Sequence, residues 1–155
     1  MNLPKLSFRN ALSLIALHTL IIFPLAAQEL EIIPVPLNFK DTPAAIGAMT
    51  QDNQGNIWMI DLNRGLFKYD GVNLTRYRNK ANDPSSLSSD RLECITFSED
   101  GIIWIGTFLN GLVRFDPIEE TFVSYKHDDK NPNSIRSNSI RALITDKKGG
   151  LWIGT

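Results

Sequence analysis

The sequence predicts an all-β fold assembled from four-stranded antiparallel meanders, and three observations predict it. Gly-x-x-Trp occurs as Gly55/Trp58, Gly101/Trp104 and Gly149/Trp152, with the tryptophans 46 and 48 residues apart, and these are all the tryptophans of the chain. Further glycines follow each copy: Gly65 after the first, Gly106 and Gly111 after the second, Gly154 after the third. The polar stretch Asp83-Pro84-Ser85-Ser86-Leu87-Ser88-Ser89-Asp90 returns as Asn131-Pro132-Asn133-Ser134-Ile135-Arg136-Ser137-Asn138. A period in the forties that carries a glycine turn, a Trp strand and a second glycine turn is the signature of a β-propeller blade, a unit that packs only against its neighbours.

The elements follow in order. Residues 1–27 read as a signal peptide: Lys5 and Arg9 are the positive start, Ala11 to Phe23 is an apolar run, and Leu25-Ala26-Ala27 offers a small-residue cleavage site before Gln28. Leu25 is bulky for that position, which keeps an uncleaved membrane anchor open as the alternative. Residues 28–43 form an N-terminal strand and linker, restricted by Pro34 and Pro36 to an edge or outer strand. Residues 44–90 are the first propeller repeat. Its strands are expected at Ile46 to Thr50, Ile57 to Ile60, Leu66 to Tyr69 and Leu74 to Tyr77, with turns at Asp52 to Gly55, Asn63 to Gly65 and Asp70-Gly71.

Residues 91–139 repeat the order, with strands at Leu92 to Phe97, Ile103 to Gly106 and Leu112 to Phe115 and a fourth ending near Tyr125. Asn110-Gly111 is a strong hairpin signal, because both residues tolerate the positive φ that the turn needs. Residues 140–155 open a third, truncated repeat at Ile140 to Thr145. About two and a third blades are therefore expected, whereas propellers close with about 4 to 8, so the chain reads as the amino-terminal piece of something larger. Ile46, Ile57, Trp58 and Phe67 at one end and Trp152 at the other are expected to leave an apolar face uncovered at each. Leu87 and Ile135 are expected to plug the gaps between adjacent blades.

Composition and motifs bound the function. Hydrophobic residues make up 43% and charged ones 21% of 155, which is globular, and a net charge of −1 gives no footprint for nucleic acid. Cys94 is the sole cysteine, so no internal disulfide can form, and on a strand with no His or Lys beside it the thiol reads as inert. His127 stands in a polar crossing beside Asp128 and Asp129 and reads as a solvated loop residue; no second His or Cys lies at ligand spacing, and neither metal nor cofactor is expected. Asp52 and Asp146 suit turn capping better than catalysis. Phosphate-loop, nucleophile-elbow and zinc-protease motifs do not occur. Asn73-Leu74-Thr75 fits a glycosylation pattern that a chain so rich in Asn meets by chance. The tryptophans have two readings, interblade core or stacking platform for a sugar, and their single repeat position beside Ile on a central strand favours core.

Gly-x-x-Trp-Ile-Gly-Thr, followed by Gly-Leu-x-Arg-Phe-Asp at Gly101 to Asp116, begun again at Asp146 to Thr155 and degenerate at Asp52 to Asp70, resembles the two-component regulator propeller repeat. The resemblance covers roughly residues 44–155. It implies the periplasmic, ligand-sensing part of a hybrid two-component regulator that answers to carbohydrate. The implied partners are the rest of the parent propeller and a membrane-anchored kinase, in a dimeric parent held in the inner membrane, with an oligosaccharide as ligand. Kinase, receiver and DNA-binding parts are not in this chain, no catalytic residue is nominated, and the ligand contacts are left unassigned. The other readings are a secreted glycoside-active propeller enzyme and a purely structural or protein-binding propeller. The Asp-box spacing of the enzymes is met in none of the three units, and paired carboxylates are not evident.

Overall fold

The computed structural model describes residues 34, 39–146 and 148–155, of which those from Phe39 onward belong to one compact unit. The leader expected over 1–27 and most of the strand expected over 28–40 lie outside the described residues; Phe39 and Lys40, at the end of that stretch, are not in a strand. Ten strands follow. β1 (Ile46–Gln51), β2 (Ile57–Asp61), β3 (Gly65–Tyr69) and β4 (Leu74–Tyr77) make one antiparallel sheet in sequence order. β5 (Leu92–Phe97), β6 (Ile103–Thr107), β7 (Leu112–Asp116) and β8 (Thr121–Tyr125) make a second, and β9 (Ala142–Thr145) pairs with β10 (Leu151–Gly154) in a third. The first strands approach one another, β1 beside β5 and β5 beside β9, and no comparable approach joins β4 to β8. The sheets therefore fan out from their first strands, which is the blade arrangement the repeat predicts.

Two details depart from the sequence reading. The ladder skips one residue between Ile46 and Ala48 and again between Leu92 and Cys94. These are β-bulges at the same repeat position, with Gly47 and Glu93 as the extra residues. The third unit enters its strand at Ala142 rather than Ile140, because the Ile140 N–H donates to the Thr107 carbonyl of the second unit at 3.0 Å. A residue expected to open one blade is thus spent on joining two.

Register decides what each face buries. In the first blade Ala48, Thr50, Trp58, Ile60, Leu66 and Tyr77 share the face toward the second blade. In the second blade Ile95, Phe97, Ile103, Ile105, Val113, Phe115 and Phe122 share the face that meets it. The two rows close over a core in which Trp58, Ile60, Leu66, Ile103, Ile105, Val113 and Phe115 are fully buried. Burying one such side chain contributes about 1.5–3 kcal/mol. Leu87 enters this core, fully buried, as the crossing loop passes. Ile135, its counterpart, is only half-buried, because the described third unit offers it two strands instead of four.

The expectation of an uncovered apolar face at the first end is met at Ile46, which stays exposed together with Met49, and needs correction at Trp58 and Phe67. Trp58 faces inward to the second blade, and Phe67 on the opposite face is also fully buried. The Arg76 guanidinium lies over the Phe67 ring at 5.5 Å, and Phe39 meets Tyr69 edge-on at 6.4 Å. Asp41 pairs with both Arg64 and Arg76, while the Ala44 and Ala45 N–H groups donate to Asp61 Oδ2 at 2.6 and 3.1 Å. This segment is thereby tied down at the head of the first blade. At the other end the expectation holds: Ile144 and Trp152, paired across β9 and β10, are both about two-thirds exposed.

Candidate functional site

The repeat positions sort into three jobs. Gly55, Gly101 and Gly149 sit at positive φ in the turns that precede β2, β6 and β10, and Gly65 and Gly111 do so in the turns that open β3 and β7. At Gly111 any side chain is excluded: φ is +83° and a Cβ would strike the Tyr125 carbonyl, while its own N–H donates to the Asn138 carbonyl at 2.8 Å. Gly106 is different. Its backbone is ordinary, but a Cβ would run into Cys94 Sγ and stand 2.8 Å from Ile140 Cγ2, so its task is to let the third unit approach. Gly154 is its repeat in the third unit, where a Cβ would meet only Ala142.

The tryptophans grade from core to surface. Trp58 is fully buried, packed on Tyr77 and Phe115 with ring centroids 5.9 and 5.6 Å away. Trp104 is half-buried against Tyr125 at 6.0 Å, and Trp152 is 65% exposed. One repeat position takes three environments, because a full blade, two strands and no described strand follow the three in turn. The sequence expectation of interblade core is met at Trp58 and only partly at Trp104.

Asp52 and Asp146 do cap turns, as expected, and they also hold the indoles. Asp52 accepts from the Gln54 and Asn56 N–H groups, from Asn56 Nδ2 and from Trp58 Nε1 at 2.8–3.0 Å. Asp146 accepts from the Lys148 and Gly150 N–H groups at 2.8 Å and from Trp152 Nε1 at 3.2 Å. Ser98 occupies this position in the second unit. Its hydroxyl binds the Asp100 carboxylate, so the aspartate that precedes Gly101 is not the counterpart of the other two. A matching substitution separates Asp61 from Thr107. Thr107 Oγ1 closes its own turn on Gly111 and Asn110, whereas buried Asp61 reaches out to the Ala44 and Ala45 amides.

Two clefts open between the turns of adjacent units. The first, of about 220 Å³, is lined by Asp52, Gln54, Lys68, Phe97, Glu99 and Ile118. The second, of about 360 Å³, is lined by Glu99, Asp100, Trp104, Asp146, Lys148 and Leu151. Of these two only the second reaches the 300–1,000 Å³ usual for a small-molecule site; a larger cleft of about 610 Å³ beside the first crossing, lined by Asn79, Lys80, Asp83, Ser124 and Lys126, offers no aromatic face. It places one half-exposed indole among carboxylates and an ammonium, which are the groups that stack on and hydrogen-bond a polyhydroxylated ring. It is the candidate site.

The titratable groups show what this surface is prepared to do. At Asp52, burial works to raise the carboxyl pKa, but the Trp58 indole and Asn56 amides outweigh it and hold the group below its ordinary value. Asp146 is lowered by the Gly150 and Lys148 amides, and Asp70 by the Asn73 and Val72 amides. Every displaced carboxyl among the described residues is displaced downward; none is poised to hold a proton at neutral pH, as a general acid must be. Burial pushes the Cys94 thiol up to about 11 and the Tyr77 hydroxyl, which donates to Glu120 at 3.0 Å, up to about 12. Among the described residues no three His, Cys, Asp or Glu side chains are grouped to hold a metal ion, and no helix is long and apolar enough to cross a membrane.

Comparison with known proteins agrees with this architecture. The two component regulator propeller family model matches residues 134–155, the end of the second crossing and the strands of the third unit. The extracellular domain described as belonging to a hybrid two component system, BT3049 of B. thetaiotaomicron, is similar in fold, with a TM-score of 0.66 and 24% identity over 74% of this chain and 16% of that one. A second extracellular domain from the same organism, BT4673, aligns at 19% identity over 71% of this chain and 21% of its own, with a TM-score of 0.34, and nothing rests on it. No curated protein matches the chain. The chain thus spans about a sixth of the solved domain it matches best in shape of these two.

Proposed function

We propose that the chain, whose residues 134–155 match the two component regulator propeller model, belongs to the extracytoplasmic sensing propeller of a two-component regulator and takes part in reading an oligosaccharide. The observation that carries this reading is the family match over residues 134–155, on a unit whose turn and indole bonds, Asp146 to Trp152, repeat those of the first blade, Asp52 to Trp58. The blade fold shared with an extracellular domain of a hybrid two component system supports the same placement. The Trp104 cleft supports a carbohydrate as ligand, since it combines an aromatic face with Glu99, Asp100 and Lys148. In this reading the chain catalyses nothing: the carboxylates whose pKa is displaced are held ionised by turn amides, by hydroxyl or indole donors or by guanidinium groups, and burial keeps the Cys94 thiol and the Tyr77 hydroxyl protonated. It would be exported by residues 1–27 and would act through a membrane-anchored kinase as a dimer.

The test is transcriptional. In the source organism, residues 44–155 are deleted in frame from the gene that encodes them, and transcription of the genes under its control is followed during growth on purified polysaccharides. The response to one glycan class is expected to disappear, while autophosphorylation of the kinase part, assayed separately, survives. A response that persists without residues 44–155 overturns the proposal. Recovery of chains beginning at Met1 in the cytoplasm would overturn the export it requires.

A further inference from the structure

The second crossing loop begins with His127 where the first begins with Asn79, and this difference is titratable. In the first crossing Asn79 donates its amide to the Leu87 carbonyl at 2.7 Å, and its N–H donates to Asp90 Oδ1 at 2.7 Å. His127 holds the same place in the second. Its N–H donates to Asn138 Oδ1 at 2.8 Å and its Nδ1 lies 2.7 Å from the Ile135 carbonyl. The remaining nitrogen, Nε2, lies 2.9 Å from Asp129 Oδ1. A carbonyl and an ionised carboxylate can only accept, so both ring nitrogens must donate for both bonds to form. Only the imidazolium satisfies that requirement.

We propose that His127 makes the crossing between the second and third units pH-responsive at its tip: the Ile135 bond ties the two limbs in either form, and the charged ring adds a second bond that holds Asp129 against it. The returning limb matters to the junction: the Asn138 carbonyl takes the Gly111 N–H, and Ile140 takes Thr107. The bond to the Ile135 carbonyl, then the bond to Asp129 and the charges of Asp129 and Asp128, raise its pKa against a small opposing effect of desolvation. A raised value means that the Asp129 bond is complete below the ordinary histidine pKa and is lost as pH climbs through the folded one. The first crossing, built on Asn79, lacks this dependence. The neutral ring keeps the Ile135 bond and sets its bare Nε2 against Asp129.

The experiment uses the full chain labelled with ¹⁵N-histidine, in wild type, Asp129→Asn and His127→Asn. The His127 resonances are expected to titrate above the ordinary value, with the neutral ring protonated on Nδ1, and Asp129→Asn is expected to lower the midpoint. A midpoint at or below the ordinary value, indifference to Asp129→Asn, or an Nε2–H tautomer overturns the proposal. A second reading concerns the loop itself. Tryptic cleavage after Lys130, taken as the ratio of wild type to His127→Asn at each pH so that the protease's own profile cancels, is expected to rise with pH through the His127 midpoint. A ratio that stays flat from pH 5 to 8 overturns it equally.

Discussion

Trp58 donates its indole N–H to Asp52 Oδ2 at 2.9 Å, and Trp152 makes the same bond to Asp146 at 3.2 Å. The spacing of six residues brings the turn before each second strand back over that strand's own indole. Asp52 thus serves both the turn and the interblade core. Asp52→Ala should therefore cost more than an ordinary turn cap: about 1–3 kcal/mol for a buried donor left without a partner, in addition to ~1 kcal/mol for the cap. Denaturant unfolding of the Asp52→Ala and Ser98→Ala variants checks this. Ser98→Ala should be the milder, because Trp104 makes no such bond among the described residues.

Acid should act at the same aspartate. Its folded pKa lies below the ordinary value through the Trp58 and Asn56 bonds, which prevail over burial. The stability it contributes is therefore present above the ordinary carboxylate pKa and lost as pH falls through the lower, folded one. Unfolding midpoints of wild type and Asp52→Asn should converge in that acid range and separate toward neutrality. Parallel curves throughout would show that the charge contributes nothing.

The tryptophan series should grade in cost as it does in exposure. Trp58→Ala should lose about 3–5 kcal/mol, the usual range for a buried aromatic truncation. Trp104→Ala should lose clearly less in this chain, and Trp152→Ala should fall within about 0.5 kcal/mol of wild type, as surface substitutions do. Equal losses at the three sites would contradict the grading.

Gly106→Ala should destabilise by about 1–3 kcal/mol, as overpacked sites do, because its methyl would meet Cys94 and Ile140. Gly154→Ala, at the same repeat position, should be nearly neutral. The contrast between the two, read from thermal melts, isolates contact between units from any effect on the strand.

Cys94 should resist alkylation. Its thiol is half-buried, raised to about 11 chiefly by burial, and donates weakly to the Ile140 carbonyl at 3.7 Å. Iodoacetamide at pH 8 should leave it unmodified in native buffer and label it in guanidinium. Fast native labelling would mean that the second and third units part readily.

Much of this was legible in the chain. The strands of both complete units fall within a residue of their expected limits, because Gly turns and alternating apolar positions are local signals. The crossing loops could be read as packed from their repetition alone, and their bonds do repeat: Lys80 to Ser86 and Asp128 to Ser134, both at 3.0 Å. Contacts between distant segments left no local mark. The bulges at Gly47 and Glu93, the grip of Asp61 on Ala44 and Ala45, and the pairing of Asp41 with Arg64 and Arg76 depend on which strands become neighbours. The candidate cleft was illegible for the same reason, since its walls come from two units. His127 is the exposed loop residue that the sequence reading expected, and aligning it with Asn79 would have shown in addition that its place takes a donor.

The graded indoles also give the blades a direction in time. Trp58 is sealed by Tyr77 and by Phe115 of the next blade, both later in the chain, so a ribosome releases the first blade with its largest side chain bare until the second sheet has emerged. At ~5–20 residues per second, a repeat of this length leaves that indole waiting on the order of 2–10 s for its cover. Nascent chains stalled at successive lengths should show tryptophan emission shifting to the blue once the second blade has emerged.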